Sequence, residues 1–220
     1  MMKKEMIWRV GLYAFGMWIL AVGAVLGNRT GIGVFAINAI PFAVSEAFDI
    51  SFATMNLLFY CMFIVLQFIL RGKEHRRWRD LLQLPASFAF SALLEVVDRT
   101  MAVQAETFAE SILFLAICIT VTAIGIPLTI RMQIVPNAPD GFLEVLSWKL
   151  NRYICLTKNI EDGVCLAVAF LIDLLFGTVW TSVGLGTAII MILLGRMVSL
   201  FDRLFGEKVS ALAGLKGIHP

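Results

Sequence analysis

Residues 30–48, TGIGVFAINAIPFAVSEAF, and residues 136–153, PNAPDGFLEVLSWKLNRY, decide how this chain is read. Both are apolar, yet each carries Pro, Asn, Ser or acidic residues that a lipid-facing helix avoids. Around them lie six long apolar runs: about Ile7 to Gly27, Phe52 to Leu70, Leu81 to Val97, Phe108 to Ile130, Asp162 to Val179, and Val183 to Phe201. Crossing a ~30 Å hydrocarbon core takes roughly 20 helical residues, so these runs are expected to be spans. The two broken segments are expected to dip into the membrane and return, or to lie along its surface.

Composition supports that class. Of the 220 residues 60% are hydrophobic and 15% charged, and the mean hydropathy is +0.87. An ordinary soluble domain has about 25% charged residues. A free cytosolic enzyme, a nucleic-acid binder and a disordered linker are excluded on this ground. The four cysteines (Cys61, Cys118, Cys155, Cys165) show no CxxC or metal-ligand spacing, and His75 and His219 lie outside the apolar runs. No haem, zinc or His-triad site is expected, no nucleophile–base pair is visible, and no cofactor is implied. The first run follows Lys3 and Lys4 like a signal peptide, but it extends about twenty residues without a clear small-x-small cleavage site, so a retained span is expected.

Basic residues set the expected orientation. Arg71, Lys73, Arg76, Arg77 and Arg79 crowd one loop, which the positive-inside rule places in the cytoplasm. Lys3 and Lys4 demand the same side, so an even number of crossings separates them from that loop, and segment 30–48 is not a full crossing. Arg131, Lys149, Arg152, Lys158, Arg203, Lys208 and Lys216 fall inside by the same count. The uncharged connection around Trp180 to Ser182 falls outside, and both termini are cytoplasmic.

An offset of 102 residues superposes the two broken segments: Gly23 falls on Gly125, Arg29 on Arg131, Asn38 on Asp140 and Ser45 on Ser147. A four-residue insertion then brings Ser51 onto Thr157 and Asn56 onto Asp162. Each half reads span, broken segment, span, span. With three crossings per half the second half enters from the opposite side. The expected fold is an all-α polytopic membrane protein, one membrane domain over residues 1–220. It has six transmembrane helices and two re-entrant segments in a 3+3 inverted repeat: residues 7–99, then residues 108–205. In secondary transporters built this way, interrupted helices meet near the midplane and form the site.

The stretches LGNRTGIGVFAINAIPFAVS, ISFATMNLLF and LLQLPASFAFSALLEVVD, with VPNAPDGFLEVLS, NIEDGVCLAVAFLID and SVGLGTAIIMILLG in the second half, carry a family likeness. From about Arg9 to Phe205 the chain resembles the bacterial YczE/YitT-like integral membrane proteins. The Pro139–Gly141 and Gly184–Thr187 pieces carry most of it. Where that family tends to have Pro-Trp-Asp, this chain has Ala36, Ile37 and Asn38, which removes a carboxylate. The resemblance implies an architecture and a bacterial inner membrane, and no settled substrate.

Candidate site residues follow from charge at depth. Asn38 and Asp140 are placed to approach each other across the pseudo-twofold axis and hold a solute, Asp140 near the positive end of a short helix. Glu144 and Ser147 share its face one and two turns on, and Ser45 occupies the comparable place in the first half. The competing account of Pro139, Asp140 and Gly141 is plain helix initiation. Asp173, about eleven residues or ~17 Å into its run, is a candidate coupling carboxylate, or else a structural partner of Arg196. Glu95 is the other coupling candidate, and Asp98 marks the interface. Arg29 and Arg131 are expected to anchor segment ends to phosphate headgroups or snorkel, the alternative being a gate or an anionic-solute contact. Gly184, Gly186 and Thr187 are expected to allow close helix packing.

The leading functional expectation is a small-solute permease with alternating access, its acidic residues available to couple protons or cations. A solute-binding membrane subunit of an uptake complex and a non-transporting scaffold are the alternatives. Expected partners are membrane lipid, a small-molecule or ion solute, and a homodimer mate or energy-coupling protein.

Overall fold

The structure is a computed structural model that describes residues 2–72, 78–178 and 182–215. Among the described residues there are eight α-helices: α1 (Met2–Asn28), α2 (Ala36–Phe48), α3 (Phe52–Arg71), α4 (Gln83–Thr100), α5 (Phe108–Arg131), α6 (Ala138–Leu150), α7 (Ile154–Phe176) and α8 (Leu185–Leu212). A 3-10 turn, Trp78–Leu82, leads into α4. Lys73, Arg76, Arg77 and His75 of the basic loop, the connection at Trp180, Lys216 and His219 lie outside the described residues.

Among the described residues five helices are long and apolar enough to cross a membrane: Glu5–Asn28, Phe52–Arg71, Asp80–Thr100, Phe108–Arg131 and Leu185–Leu212. The expected fifth run, Asp162 to Val179, is not among them. It belongs to α7, which begins eight residues earlier, at Ile154, and carries Lys158, Glu161, Asp162 and Asp173. The helix continues through the charged stretch because Lys158 answers Asp162 one turn on, with Nζ 2.6 Å from Oδ1. The last run also extends farther than expected, to Leu212.

Helices α1 and α5 cross antiparallel at the centre. A Cβ on Gly23 would come within 2.2 Å of Thr122 Oγ1, and one on Gly125 within 2.8 Å of Leu20 Cγ. Without side chains at these points the backbones approach closely, which is how helices associate in lipid, where no hydrophobic drive acts between them. Helix α4 packs along α1 and α8 along α5. The other four helices close a ring in which α3 touches α6, α6 touches α7, α7 touches α2 and α2 touches α3. Small residues, Ala39, Ala43 and Ala169, line the α2–α7 contact.

The chain doubles back before both short helices. After α1, Thr30 Oγ1 donates to the carbonyls of Gly27 (2.9 Å) and Gly33 (3.1 Å), and the Phe35 ring lies against Gly27. After α5, Arg9 donates to the Met132 carbonyl and Tyr13, one turn deeper along α1, to that of Val135. The segment thus re-enters the bundle. The thirteen-residue helices α2 and α6 start 102 residues apart, at 36 and 138, and run outward toward opposite ends. Each stops at a left-handed Asx residue, Asp49 (φ 54°) and Asn151 (φ 51°), short polar side chains that tolerate that conformation. The carbonyls of Ser45 and Ser147 accept from Ile50 N–H and Arg152 N–H respectively, both at 3.1 Å. Helices α3 and α7 also start 102 residues apart, whereas their terminal glycines, Gly72 and Gly177, are 105 apart. At that offset of 102 the residue that falls on Ser51, the N-cap of α3, is Tyr153, the N-cap of α7, and not Thr157.

Arg29 and Arg131 do not snorkel. Arg29 pairs with Asp98 at the end of α4 (2.6 Å), and Arg131 chelates Asp202 of α8, with Nη2 2.7 Å from Oδ2 and Nη1 2.9 Å from Ser210 Oγ. Each arginine closes one end of the central helix pair onto the last helix of its own half. Gly206 makes room for the Arg131 guanidinium, which lies 2.4 Å from where a Cβ would stand.

Candidate functional site

Helix α6 is held by a buried amide pair. Gln67 of α3 and Gln83 at the start of α4 exchange hydrogen bonds (2.9 and 3.2 Å), and Gln67 Nε2 also donates to the Ala138 carbonyl (3.0 Å). Gly141 fits against this pair, since a Cβ there would lie 2.6 Å from Gln83 Nε2. Pro139 in the first turn suits a position that needs no N–H donor, and Asp140 beside it meets the positive end of the helix.

Asp140 and Glu144 line a cavity of about 520 Å³ at the end of the bundle marked by Arg131. Thr129 and Ile130 of α5, the returning segment Gln133–Asn137, and Asp80, Leu82 and Ile154 complete its wall. Asp140 is exposed within it. Arg71, nearly buried, stands behind the wall, 3.2 Å from Asp80 and 3.9 Å from Glu144. A second, more open cavity of about 530 Å³ adjoins it along Glu144, Ser147 and Trp148.

Toward α7 the charge continues. Lys158 lies 3.9 Å from Glu161 as well as 2.6 Å from Asp162, and both Lys158 and Glu161 lie within electrostatic reach of Asp140. Glu161 is 5% exposed and its Oε1 has no hydrogen-bond partner. On α3 the Asn56 side chain is 1% exposed and lies against Tyr60, one turn on. Lys158, Glu161, Asn56, Gln67 and Gln83 escaped the sequence-based choice of site residues. The available signal was polarity at four-residue spacing within an apolar run: α7 buries Thr157, Glu161, Cys165, Ala169 and Asp173 along one stripe.

One sequence family matches nearly the whole chain. The chain belongs to DUF6198. Residues 7–203 match that family, which is described as a family of unknown function. No curated protein and no solved structure matches the chain.

The expected site residues fall into three places within this member of DUF6198. Asp140 and Glu144 face the large cavity, and Ser147 borders the second while its hydroxyl donates to the Arg152 carbonyl (2.6 Å). Asn38 and Ser45 are buried in α2, away from both cavities. Glu95 and Asp173 sit at the opposite end of the bundle, marked by Arg29. Glu95 accepts from Ser51 Oγ (2.9 Å) and Arg99 Nε (2.7 Å). Asp173 lies three residues before the end of α7, a helix that begins at Ile154. It accepts from Thr178 Oγ1 (3.1 Å) and from the backbone N–H (3.3 Å) and hydroxyl of Ser182, while Arg196 is exposed on α8.

The Gly184–Thr187 stretch packs against a loop and not another helix. Gly186 N–H donates to the Ile32 carbonyl at 2.7 Å, and Val34 N–H to that of Ser182 at 3.2 Å. Gly33, at φ 118°, occupies backbone space open only to glycine, and a Cβ there would lie 2.4 Å from Thr187 Oγ1. The entry to α2 is thereby stitched to the start of α8.

Proposed function

We propose that this protein is a small-solute permease of the bacterial cytoplasmic membrane, working by alternating access between two inverted halves. In this reading α7 is the sixth span, its charged first turns lying at the cytoplasmic end. Both termini and the Arg131 end are cytoplasmic. The matched lengths of α2 and α6, the exchange of packing between halves (α2 on α7, α6 on α3) and the arginine–aspartate pair at each end support the repeat. The resemblance to YczE/YitT-like proteins points the same way.

One observation carries the reading: the related helices stand in unlike states. The α6 side holds a cavity with Asp140 exposed in it, whereas Asn38, at the matching place in α2, is buried. Two halves of one design, one open and one closed, are what alternating access requires. Asp140 and Glu144 then meet solute on the cytoplasmic side, Asn38 and Ser45 meet it when the opposite side opens, and Glu95 and Asp173 are the coupling carboxylates at the outer end.

The test is two-sided labelling of Asn38→Cys and Asp140→Cys in vesicles with a membrane-impermeant maleimide, the native cysteines replaced. The expected result is that Asp140→Cys reacts from the cytoplasmic side only. A cross-link between Thr129→Cys and Glu144→Cys, across the cavity, then exposes Asn38→Cys from the other side. Asn38→Cys unreactive in both forms refutes alternating access. A second reading, the membrane subunit of an uptake complex, draws on α8. Among the described residues α8 packs extensively only along α5, leaving Met191, Ile192, Leu193 and Leu200 outward.

A further inference from the structure

We infer that the turn joining α6 to α7 holds the phosphate of an anionic phospholipid, with Arg152 as its anchor, Lys149 as a second cation, and Trp148 and Tyr153 as flanking interface residues. The site stands apart from the permease reading, since it asks only that this end of the bundle meet a bilayer surface.

Charge is the first ground. Residues 148–158 carry Lys149, Arg152 and Lys158 and no acidic residue. Lys158 is already engaged, 2.6 Å from Asp162. Lys149 and Arg152 are exposed, and among the described residues neither side chain forms an ion pair or a hydrogen bond. The nearby carboxylate, Glu144, is answered by Arg71 at 3.9 Å. Two free cations on one short turn attract an anion, and a guanidinium grips phosphate with two parallel N–H donors.

The second ground is that the turn is held. Ser147 Oγ donates to the Arg152 carbonyl at 2.6 Å, and Arg152 N–H donates back to the Ser147 carbonyl at 3.1 Å. Between them Asn151 takes the left-handed conformation, and its N–H donates to the Trp148 carbonyl at 3.2 Å. The last carbonyls of α6 are thereby satisfied, and Arg152 projects from a fixed backbone. It lines the open cavity of about 530 Å³ together with Glu144, Ser147, Trp148, Asn151, Tyr153 and Ile154. A concavity of that size suits a small polar headgroup.

The third ground separates a lipid from a free phosphate. Trp148, Tyr153 and Ile154 stand out from this turn, Tyr153 88% exposed, with Leu150 and Leu156 exposed beside them. Such a group is costly in water but suits the boundary of headgroups and hydrocarbon, where Trp and Tyr are favoured and basic side chains reach phosphate. A dissolved phosphate leaves these side chains uncovered, whereas a phospholipid covers them with its chains while its headgroup meets Arg152. A zwitterionic headgroup brings its own cation against Lys149 and Arg152, and an anionic one does not.

The experiment titrates the full-length protein, in micelles of an uncharged detergent, with phosphatidylglycerol, phosphatidylcholine and glycerol 3-phosphate. Native mass spectrometry reads the bound ligand. The expected result is that phosphatidylglycerol binds at least about tenfold more tightly than phosphatidylcholine and that glycerol 3-phosphate does not displace it. Arg152→Gln loses about tenfold of that affinity and Lys149→Gln about threefold. Both side chains are exposed and unpaired, so these variants fold as the parent does. Arg203→Gln removes the same charge from an exposed site on α8 and loses under about twofold. Phosphatidylglycerol binding no more tightly than phosphatidylcholine overturns the inference. So does an equal loss in Arg203→Gln and Arg152→Gln, which reduces the effect to diffuse attraction. Glycerol 3-phosphate binding as tightly as phosphatidylglycerol overturns the lipid assignment and makes the turn a site for a free phosphate ester.

Discussion

Replacing Gly184 with alanine probes the contact that ties the entry of α2 to α8. A Cβ at Gly184 would stand 2.4 Å from the Ile32 carbonyl oxygen and 2.9 Å from its carbon. These are backbone atoms, so no rotamer change relieves the clash. An ordinary C···O contact is about 3.3–3.6 Å, so the loop and the helix must part by roughly 1 Å. That separation stretches the Gly186 N–H···O=C Ile32 hydrogen bond, now 2.7 Å, beyond bonding distance. Overpacking costs about 1–3 kcal/mol and an orphaned buried backbone group about 1–3 more. The stiffer unfolded chain returns about 0.4–1 kcal/mol, leaving a net loss of roughly 1–5 kcal/mol. At about 2–4 °C per kcal/mol for a chain of this length, Tm falls roughly 2–20 °C. Gly195→Ala is the control: it lies in the same helix, with nothing within 4 Å of the added Cβ, and is expected to be neutral or stabilising. Thermal unfolding in detergent, with reversible SDS titration for the free energies, separates the two. If Gly184→Ala lies within about 0.5 kcal/mol of Gly195→Ala, the backbone approach does not hold the α2 entry and the reasoning is wrong.

Four other outcomes are expected. Asp202→Asn breaks the bidentate Arg131 pair, whose side chains are 11% and 25% exposed, and costs about 1–3 kcal/mol. Asp98→Asn, in the matching pair exposed to 30% and 41%, costs under about 1 kcal/mol; SDS titration of both variants checks the order. Gln67→Leu leaves Gln83 without its amide partner and lowers stability by about 2–4 kcal/mol, while the Gln67→Leu/Gln83→Leu double variant costs less than the sum of the singles, as a double-mutant cycle should reveal. Asp173→Asn lowers Tm because one acceptor at Ser182 becomes a donor, and thermal unfolding in detergent checks it: an unchanged Tm would show that the Ser182 contacts do not hold the end of α7.

The class of this protein was legible in the sequence because apolar length and charge spacing are local properties. That residues 36–48 and 138–150 stand apart from the long apolar runs was legible too, in Asn38, Pro41, Pro139 and Asp140, and the shared offset anticipated helices starting at 36 and 138. Charge at depth was harder to read. Asp173 was counted from the apolar run, but hydropathy does not see that Lys158 neutralises Asp162 and lets α7 begin at Ile154. Arg29 and Arg131 were assigned to headgroups because their aspartate partners lie 69 and 71 residues away in sequence.

Sequence by itself determined a membrane-class helical chain with two interrupted segments, because a hydrocarbon solvent constrains each stretch separately. Only the tertiary structure decided which polar groups meet. Gln67, Gln83 and the Ala138 carbonyl meet because α6 packs against α3, a contact between residues 71 apart in sequence. It also decided that the two thirteen-residue helices differ, α6 beside a cavity and α2 buried at Asn38 and Ser45. That difference is a property of how halves pack, on which the residues of either half alone are silent.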